Sequence, residues 1–312
     1  MKNLGLVFSL SFASISAFAA TQNLPELRKA AYEKMESCGD AVFSDSQWMA
    51  ASLPNTANGI GHVRVQSLQS PNDIWDFPAH DTVVDIKIKD GKIFVLTETT
   101  FEAWDLKTHK ALYSYATHPE VGPGSKWSKK ATGFIFRADK VLITHGVLGF
   151  SLLNLETGVV EKTIPMPTIS SAQDITVLED KTALVAVDNA DDAQFRGLYV
   201  LNLSTLDIEK QIKIDNAFPL SIRALPGNRL VMGYLNAIWK FDLATTLKNQ
   251  EAQPNRRSWK FPGLFDVDMR GKVFYDETYM YSCFGVFQDM NGGIIARKKT
   301  PRAFRIDDLK LN

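Results

Sequence analysis

The chain has 312 residues, 35 Lys+Arg against 35 Asp+Glu, and 45% hydrophobic content. That apolar fraction is ordinary for a globular fold and sufficient for a core. The charge balance excludes a dedicated polyanion binder, so no nucleic-acid partner is expected.

Residues 1–19 read as a secretory signal. Lys2 forms the basic start, Leu4 to Phe12 the apolar run, and Ala17-Phe18-Ala19 the small-x-small cleavage pattern. The run is too short to span a bilayer, and no later stretch of eighteen apolar residues follows, so no membrane span is expected. The mature chain should begin near Ala20 and work as a monomer that is secreted or periplasmic. Residues 20–61 are read as an N-terminal helix and a linker. The helix is predicted over 21–39, with Leu24, Leu27, Ala31, Met35 and Cys38 on its docking face. Pro54, Asn55, Asn58, Gly59 and Gly61 then mark loop.

From residue 82 the pattern is β. Val83 to Ile88, a turn at Asp90 and Gly91, and strands through Leu106 and Tyr115 form a first block. Its order recurs from Gly133, Gln173, Leu220 and Phe265. Blocks close on Trp104-Asp105-Leu106, Leu153-Asn154-Leu155, Leu201-Asn202-Leu203, Phe241-Asp242-Leu243 and, more loosely, Ile306-Asp307-Asp308-Leu309. Self-similarity at a period of roughly 40 to 50 residues is the mark of stacked β-blades, which bury their faces only against one another. The last block lacks an outer strand. The segment His62 to Leu68 is β-like and unassigned, so it is expected to cross back and complete that blade. This reading gives an all-β chain, a single β-propeller over 62–312 with five blades. Six is the alternative, in which residues 43–53 and 62–80 build another blade.

An Asp-Gly turn, an apolar strand and a Trp/Phe-Asp-Leu ending resemble the repeat of the WD40-like, PQQ-like and YVTN-like propeller class. The resemblance covers about 82–312 and lacks the Gly-His dipeptide of WD40 repeats. It implies a fold and no activity.

The two cysteines, Cys38 and Cys283, are expected to bridge in an oxidising compartment. Alignment of the blocks places Asp85, Phe134, Asp174, Ser221 and Asp266 at one position of the first strand. Asp85, Asp174 and Asp266 would form a channel ring suited to a hard cation such as calcium; the other reading is that each accepts backbone N–H groups within its own blade. No other cofactor is implied. Cations beside aromatics at Trp127, Lys129 and Lys130, and at Arg256, Arg257 and Trp259, are candidate rim binding residues if they share a face. His145, after an apolar strand, is the histidine best placed to reach a channel mouth, but no nucleophile elbow or metal-ligand spacing accompanies it, so a structural role is the expected reading. The expected role is a binding scaffold for a protein or a cell-envelope glycan, because loops on a rigid frame carry recognition. The alternatives are a hydrolase or lactonase using a channel-mouth metal, and a structural part of an envelope assembly.

Overall fold

A computed structural model describes residues 24–39, 41–122, 124–166, 170–179, 181–188, 192–214, 219–233, 238–249, 274–284, 287–288, 294–296 and 300–306. The proposed signal peptide therefore lies outside the described residues.

The chain forms a six-bladed β-propeller preceded by a short helix, α1 (Leu24–Glu33). The first blade comprises β1 (Val42–Ser44), β2 (Trp48–Leu53), β3 (His62–Ser67) and β4 (Ile74–Pro78), and the second β5 (Val83–Lys89), β6 (Lys92–Thr97), β7 (Thr100–Asp105) and β8 (Ala111–Ala116). The third holds β9 (Ala131–Arg137) to β12 (Val160–Ile164), with β10 at Lys140–His145 and β11 at Gly149–Asn154; the fourth holds β13 (Ser171–Glu179) to β16 (Ile208–Lys213), with β14 at Thr182–Asp188 and β15 at Gly197–Asn202. The fifth has β17 (Ser221–Leu225), β18 (Arg229–Gly233) and β19 (Ile238–Asp242), followed by α2 (Leu243–Lys248). In the sixth, β20 (Phe274–Tyr275), β21 (Tyr279–Phe284) and β24 (Thr300–Arg305) form a sheet, and β22 (Phe287–Gln288) pairs with β23 (Ile294–Ala296) as a hairpin. Adjacent strands pair antiparallel, and the first strand of each blade lines the centre.

Six blades, the alternative count, replace the five expected. His62–Ser67 does not close the last blade. It pairs with Trp48–Leu53 on one side and Ile74–Pro78 on the other, inside the first blade. The propeller thus starts at Val42, within the segment read as linker. The reason is visible in β2: Met49, Ala50 and Ala51 are fully buried, so both faces of the strand are covered and the alternation that signals a strand is absent. The chain before β1 passes close against it: the Gly39 N–H donates to the Ser52 carbonyl, and Ser52 leaves no room for a Cβ at that position.

The repeated triplet has a definite job. The side chain of Asp105 accepts the N–H groups of Lys107 and Thr108, that of Asn154 those of Glu156 and Thr157, and that of Asn202 those of Ser204 and Thr205. Each turns the chain from the third strand into the fourth as an Asx turn. The leucine that follows donates its N–H to the inner hairpin, Leu106 to Gly91, Leu155 to Asp139 and Leu203 to Lys181. Blade five keeps this bond, Leu243 to Asn228, but Asp242 now caps α2 through the Thr245 N–H at 2.7 Å. In the sixth blade Ile306 donates to Thr278, so the triplet ends at Ile306 rather than at Leu309.

Ring closure falls to α1 rather than to a returning strand. The buried face of α1 is Arg28, Ala31 and Tyr32, and Leu27, expected on that face, is 40% exposed. The helix ends at Glu33 instead of reaching residue 39, because the chain must turn to bring Cys38 to Cys283. Arg28 reaches Asp276 at 3.3 Å and Glu277 at 3.2 Å, Glu26 accepts the Tyr279 hydroxyl, and Glu33 accepts the Ala303 N–H at 3.2 Å. Tyr32 meets Tyr281 edge to face with ring centroids 5.5 Å apart. The Cys38–Cys283 disulfide, as expected, locks the same seam with its Cα atoms 5.8 Å apart.

Candidate functional site

A cavity of about 350 Å³ lies at the centre of the ring. All six inner strands reach it, through Phe43, Lys87, Phe136, Thr176, Arg223 and Tyr275. Its residues come from the middle and downstream parts of those strands, toward the face that carries the inner hairpin turns. Val177, also in the wall, is 39% exposed and marks the mouth. The volume is at the lower end for small-ligand sites, and the walls mix aromatic surface with a few polar groups in the usual manner of such sites.

Two of the three expected ring carboxylates are described, and both are committed to the backbone. Asp85 accepts the Ile86 N–H at 2.9 Å and the Phe134 N–H of the next blade at 3.4 Å. Asp174 accepts the Ile175 N–H at 2.9 Å and, across the next boundary, the Ile222 N–H at 2.9 Å. Each carboxylate therefore staples one inner strand to its neighbour, beyond the within-blade bond that sequence suggested. Each also holds a cation: Lys87 Nζ lies 2.8 Å from Asp85, and Arg223 Nη1 lies 3.0 Å from Asp174. Burial works against the Arg223 charge, but Asp174 and then Asp85 outweigh it and keep its pKa above the ordinary arginine value. Lys87 also sits over the Phe134 ring, 4.4 Å from its centroid, a cation–π contact.

Asp85 and Asp174 are 3% and 0% exposed, so they stand behind the wall while Lys87 and Arg223 stand on it. Asp266 lies outside the described residues. Among the described residues no group of three or more His, Cys, Asp or Glu side chains is placed to hold a metal ion.

Of the rim candidates, Lys129 and Lys130 have described side chains. Lys129 closes a short 3-10 turn, Trp127–Lys129, and pairs with Glu120 at 3.3 Å, while Lys130 pairs with Glu98 of the second blade. Arg256, Arg257 and Trp259 lie outside the described residues.

His145 does not line the central cavity. It is fully buried at the end of β10, with Nε2 2.9 Å from Ser151 Oγ. The Ser151 hydroxyl donates to the Thr117 carbonyl at 2.6 Å, so its one proton is spent and Nε2–H must be the donor to Ser151. A serine beside a histidine is here a buried strut, with its proton turned away from the imidazole. Burial first, then the His118 ring 5.1 Å away, hold the His145 pKa down at about 3. An unfolded histidine titrates near 6.5, so between about pH 3 and 6.5 the unfolded state binds more protons and stability falls as pH falls. Replacing His145 by Gln should flatten that limb. Between pH 7 and 4.5 the parent should lose roughly 2–3 kcal/mol more than His145→Gln in urea unfolding; parallel pH profiles would contradict the assignment.

No protein-family model matches the sequence, and no characterised protein in the curated set matches it. Solved structures do. The WD40 β-propeller domain of Doa1 has a TM-score of 0.55 at 13% identity, covering 85% of this chain and 77% of that one. The Neurospora crassa Pan2 WD40 domain has a TM-score of 0.51 at 12% identity, covering 74% of this chain and 64% of that one. The architecture is that of a WD40-type β-propeller. At such identities the likeness speaks for the fold alone, and no residue of those domains maps onto a role here. No helix among the described residues is long and apolar enough to cross a membrane.

Proposed function

We propose that this chain is an exported β-propeller that works as a binding scaffold, taking a protein or cell-envelope glycan partner at the face where the central cavity opens. The observation that carries this reading is the cavity itself. Every blade contributes a wall residue, the wall is aromatic and cationic, and the nearby carboxylates Asp85 and Asp174 are tied into the strands. A rigid ring with an open centre and surrounding loops is a surface for recognition. Export is supported by the signal-like start of the sequence and by the disulfide, which forms and persists in oxidising compartments.

The test places a photo-crosslinking amino acid at Val177, at the cavity mouth, and separately at Val159, which is 56% exposed beside the outer strand of the third blade. Irradiation of cells exporting each variant should give a discrete covalent adduct from position 177 and none from 159. An adduct from 159 alone would move recognition to the outer edge and remove this reading.

A further inference from the structure

The chemistry of the cavity wall goes further than the scaffold reading on which it rests. Arg223 spends only one of its three nitrogens on the protein. Nη1 donates to Asp174 at 3.0 Å and to the Ile222 carbonyl at 2.8 Å, while Nε and Nη2 have no protein acceptor among the described residues. The side chain is only 17% exposed yet forms part of the wall. A guanidinium held on one nitrogen by a buried carboxylate is fixed in position, and its remaining N–H donors form the planar fork that matches a carboxylate bidentately.

The surroundings agree. Tyr275, in the same wall, is 4% exposed, and its hydroxyl makes no hydrogen bond among the described residues; neither does the hydroxyl of fully buried Ser221. Burial raises the Tyr275 pKa and the neighbouring Ser221 hydroxyl opposes that rise as a weak contact, but the two do not meet in full hydrogen-bond geometry. A buried hydroxyl without a partner costs free energy, so this corner favours an incoming polar group. The rings of Phe43, Phe136 and Phe274 line the same cavity. Among the described wall residues none is acidic, and both charged ones, Lys87 and Arg223, are cations.

We propose that the central cavity is a binding site for a carboxylate carried on an apolar body, the acid meeting the free fork of Arg223 and the body lying against Phe43, Phe136 and Phe274. The raised pKa of Arg223 supports this, since the guanidinium keeps its charge although burial opposes it. Two sources present such a group: a free small acid, or the terminal carboxylate of a partner chain ending in an aromatic residue.

The experiment uses the mature, disulfide-bonded protein and four probes in calorimetry and ligand-observed NMR: 4-phenylbutyrate, its neutral amide, and a triglycyl-phenylalanine peptide with a free or an amidated terminus. The free acids should bind about tenfold more tightly than their amides, the ratio expected from hydrogen bonds to a charged group. Arg223→Lys keeps the charge and loses the fork, so it should erase the acid-over-amide preference while unfolding cooperatively. Val177→Trp, at an exposed position of the mouth, should abolish binding of all four by filling the cavity. A preference for 4-phenylbutyrate would identify a free small acid as the source, and a preference for the free-terminus peptide a partner's chain end. Equal binding of acids and amides, acid binding that survives both variants, or no binding by any probe would overturn the proposal. The scaffold reading would still stand in those cases if position 177 crosslinks a partner in cells, so the two failures are separable.

Discussion

Reducing the Cys38–Cys283 bridge, or replacing both cysteines by alanine, should lower the unfolding free energy by about 2–5 kcal/mol. The two half-cystines are 245 residues apart in sequence, so the bridge encloses nearly the whole array of blades. Loop-closure entropy grows with the logarithm of loop length, which places this bridge near the upper end of the scale, roughly 5 kcal/mol, with native strain able only to subtract from it. The location adds to the effect. The described strand pairings give the last blade no strand from the first, so the seam rests on apolar packing of Val42, Met49 and Ala51 against Phe274, Tyr279 and Tyr281, on α1, on the Arg28 ion pairs with Asp276 and Glu277, and on the disulfide. Arg28 and Asp276 are 9% and 3% exposed, and a buried pair of this kind fixes geometry more than it adds stability. Without the bridge the ring should still form, because the helix contacts remain. It should melt roughly 5–10 °C lower and become susceptible to proteolysis at the seam first. Paired urea curves for oxidised and reduced protein check this. Coincident midpoints, or two alkyl groups on the unreduced protein, would show that the bridge does not carry the closure.

The architecture was legible in the sequence where one residue type did one job. Asp105, Asn154 and Asn202 all turn the chain by the same side-chain bonds, and the leucine after each closes the blade on its inner hairpin, so those copies stand out. The missing copy uses different chemistry. In the first blade Ser67 takes the place of the Asx residue, accepting the Gln69 and Ser70 N–H groups, and Leu68 donates to Gln47. A hydroxyl does the work of a carboxylate there, so a pattern of Asp and Asn passes over Gln66-Ser67-Leu68. Trp75-Asp76-Phe77, which resembles the motif by letters, lies on the outer strand, where Asp76 binds Arg64 at 2.7 Å instead of turning the chain. That exchange is why five blades could be counted from a chain that makes six.

The cavity was half legible. Alignment put Asp85 and Asp174 at one position of the first strand, and each carboxylate reaches an N–H of the next blade's first strand. It could not show that a carboxylate would reach across to the next blade, since that depends on how closely neighbouring sheets approach. Arg223 and Tyr275 carried no sequence signal at all. They come from different blades, 52 positions apart in the numbering and brought together only by the ring. His145 is a core group, in line with the structural role expected for it; what the sequence did not show is which strands would pack around it.

Asp174→Ala should cost about 3–5 kcal/mol, the range for breaking a buried pair by removing one partner. Three groups lose a bond at once: the Ile175 N–H, the Ile222 N–H and Arg223 Nη1, which keeps only the Ile222 carbonyl. The carboxylate is 0% exposed, so water does not readily replace it, and the Arg223 charge is left without its counter-ion in a poorly solvated wall. Asp174→Asn keeps an oxygen for one of the backbone donors but not the charge, so it should cost less than the alanine variant. Combining Asp174→Asn with Arg223→Met removes the stranded charge and should recover part of the loss, since replacing both members of a buried pair is often near neutral. The urea midpoint should therefore order as parent, double variant, Asp174→Asn, Asp174→Ala. If the double variant were instead the least stable, the pair would owe its value to mutual attraction and not to the staple between blades four and five. An unchanged midpoint in Asp174→Ala would mean that the inner strands hold together without it.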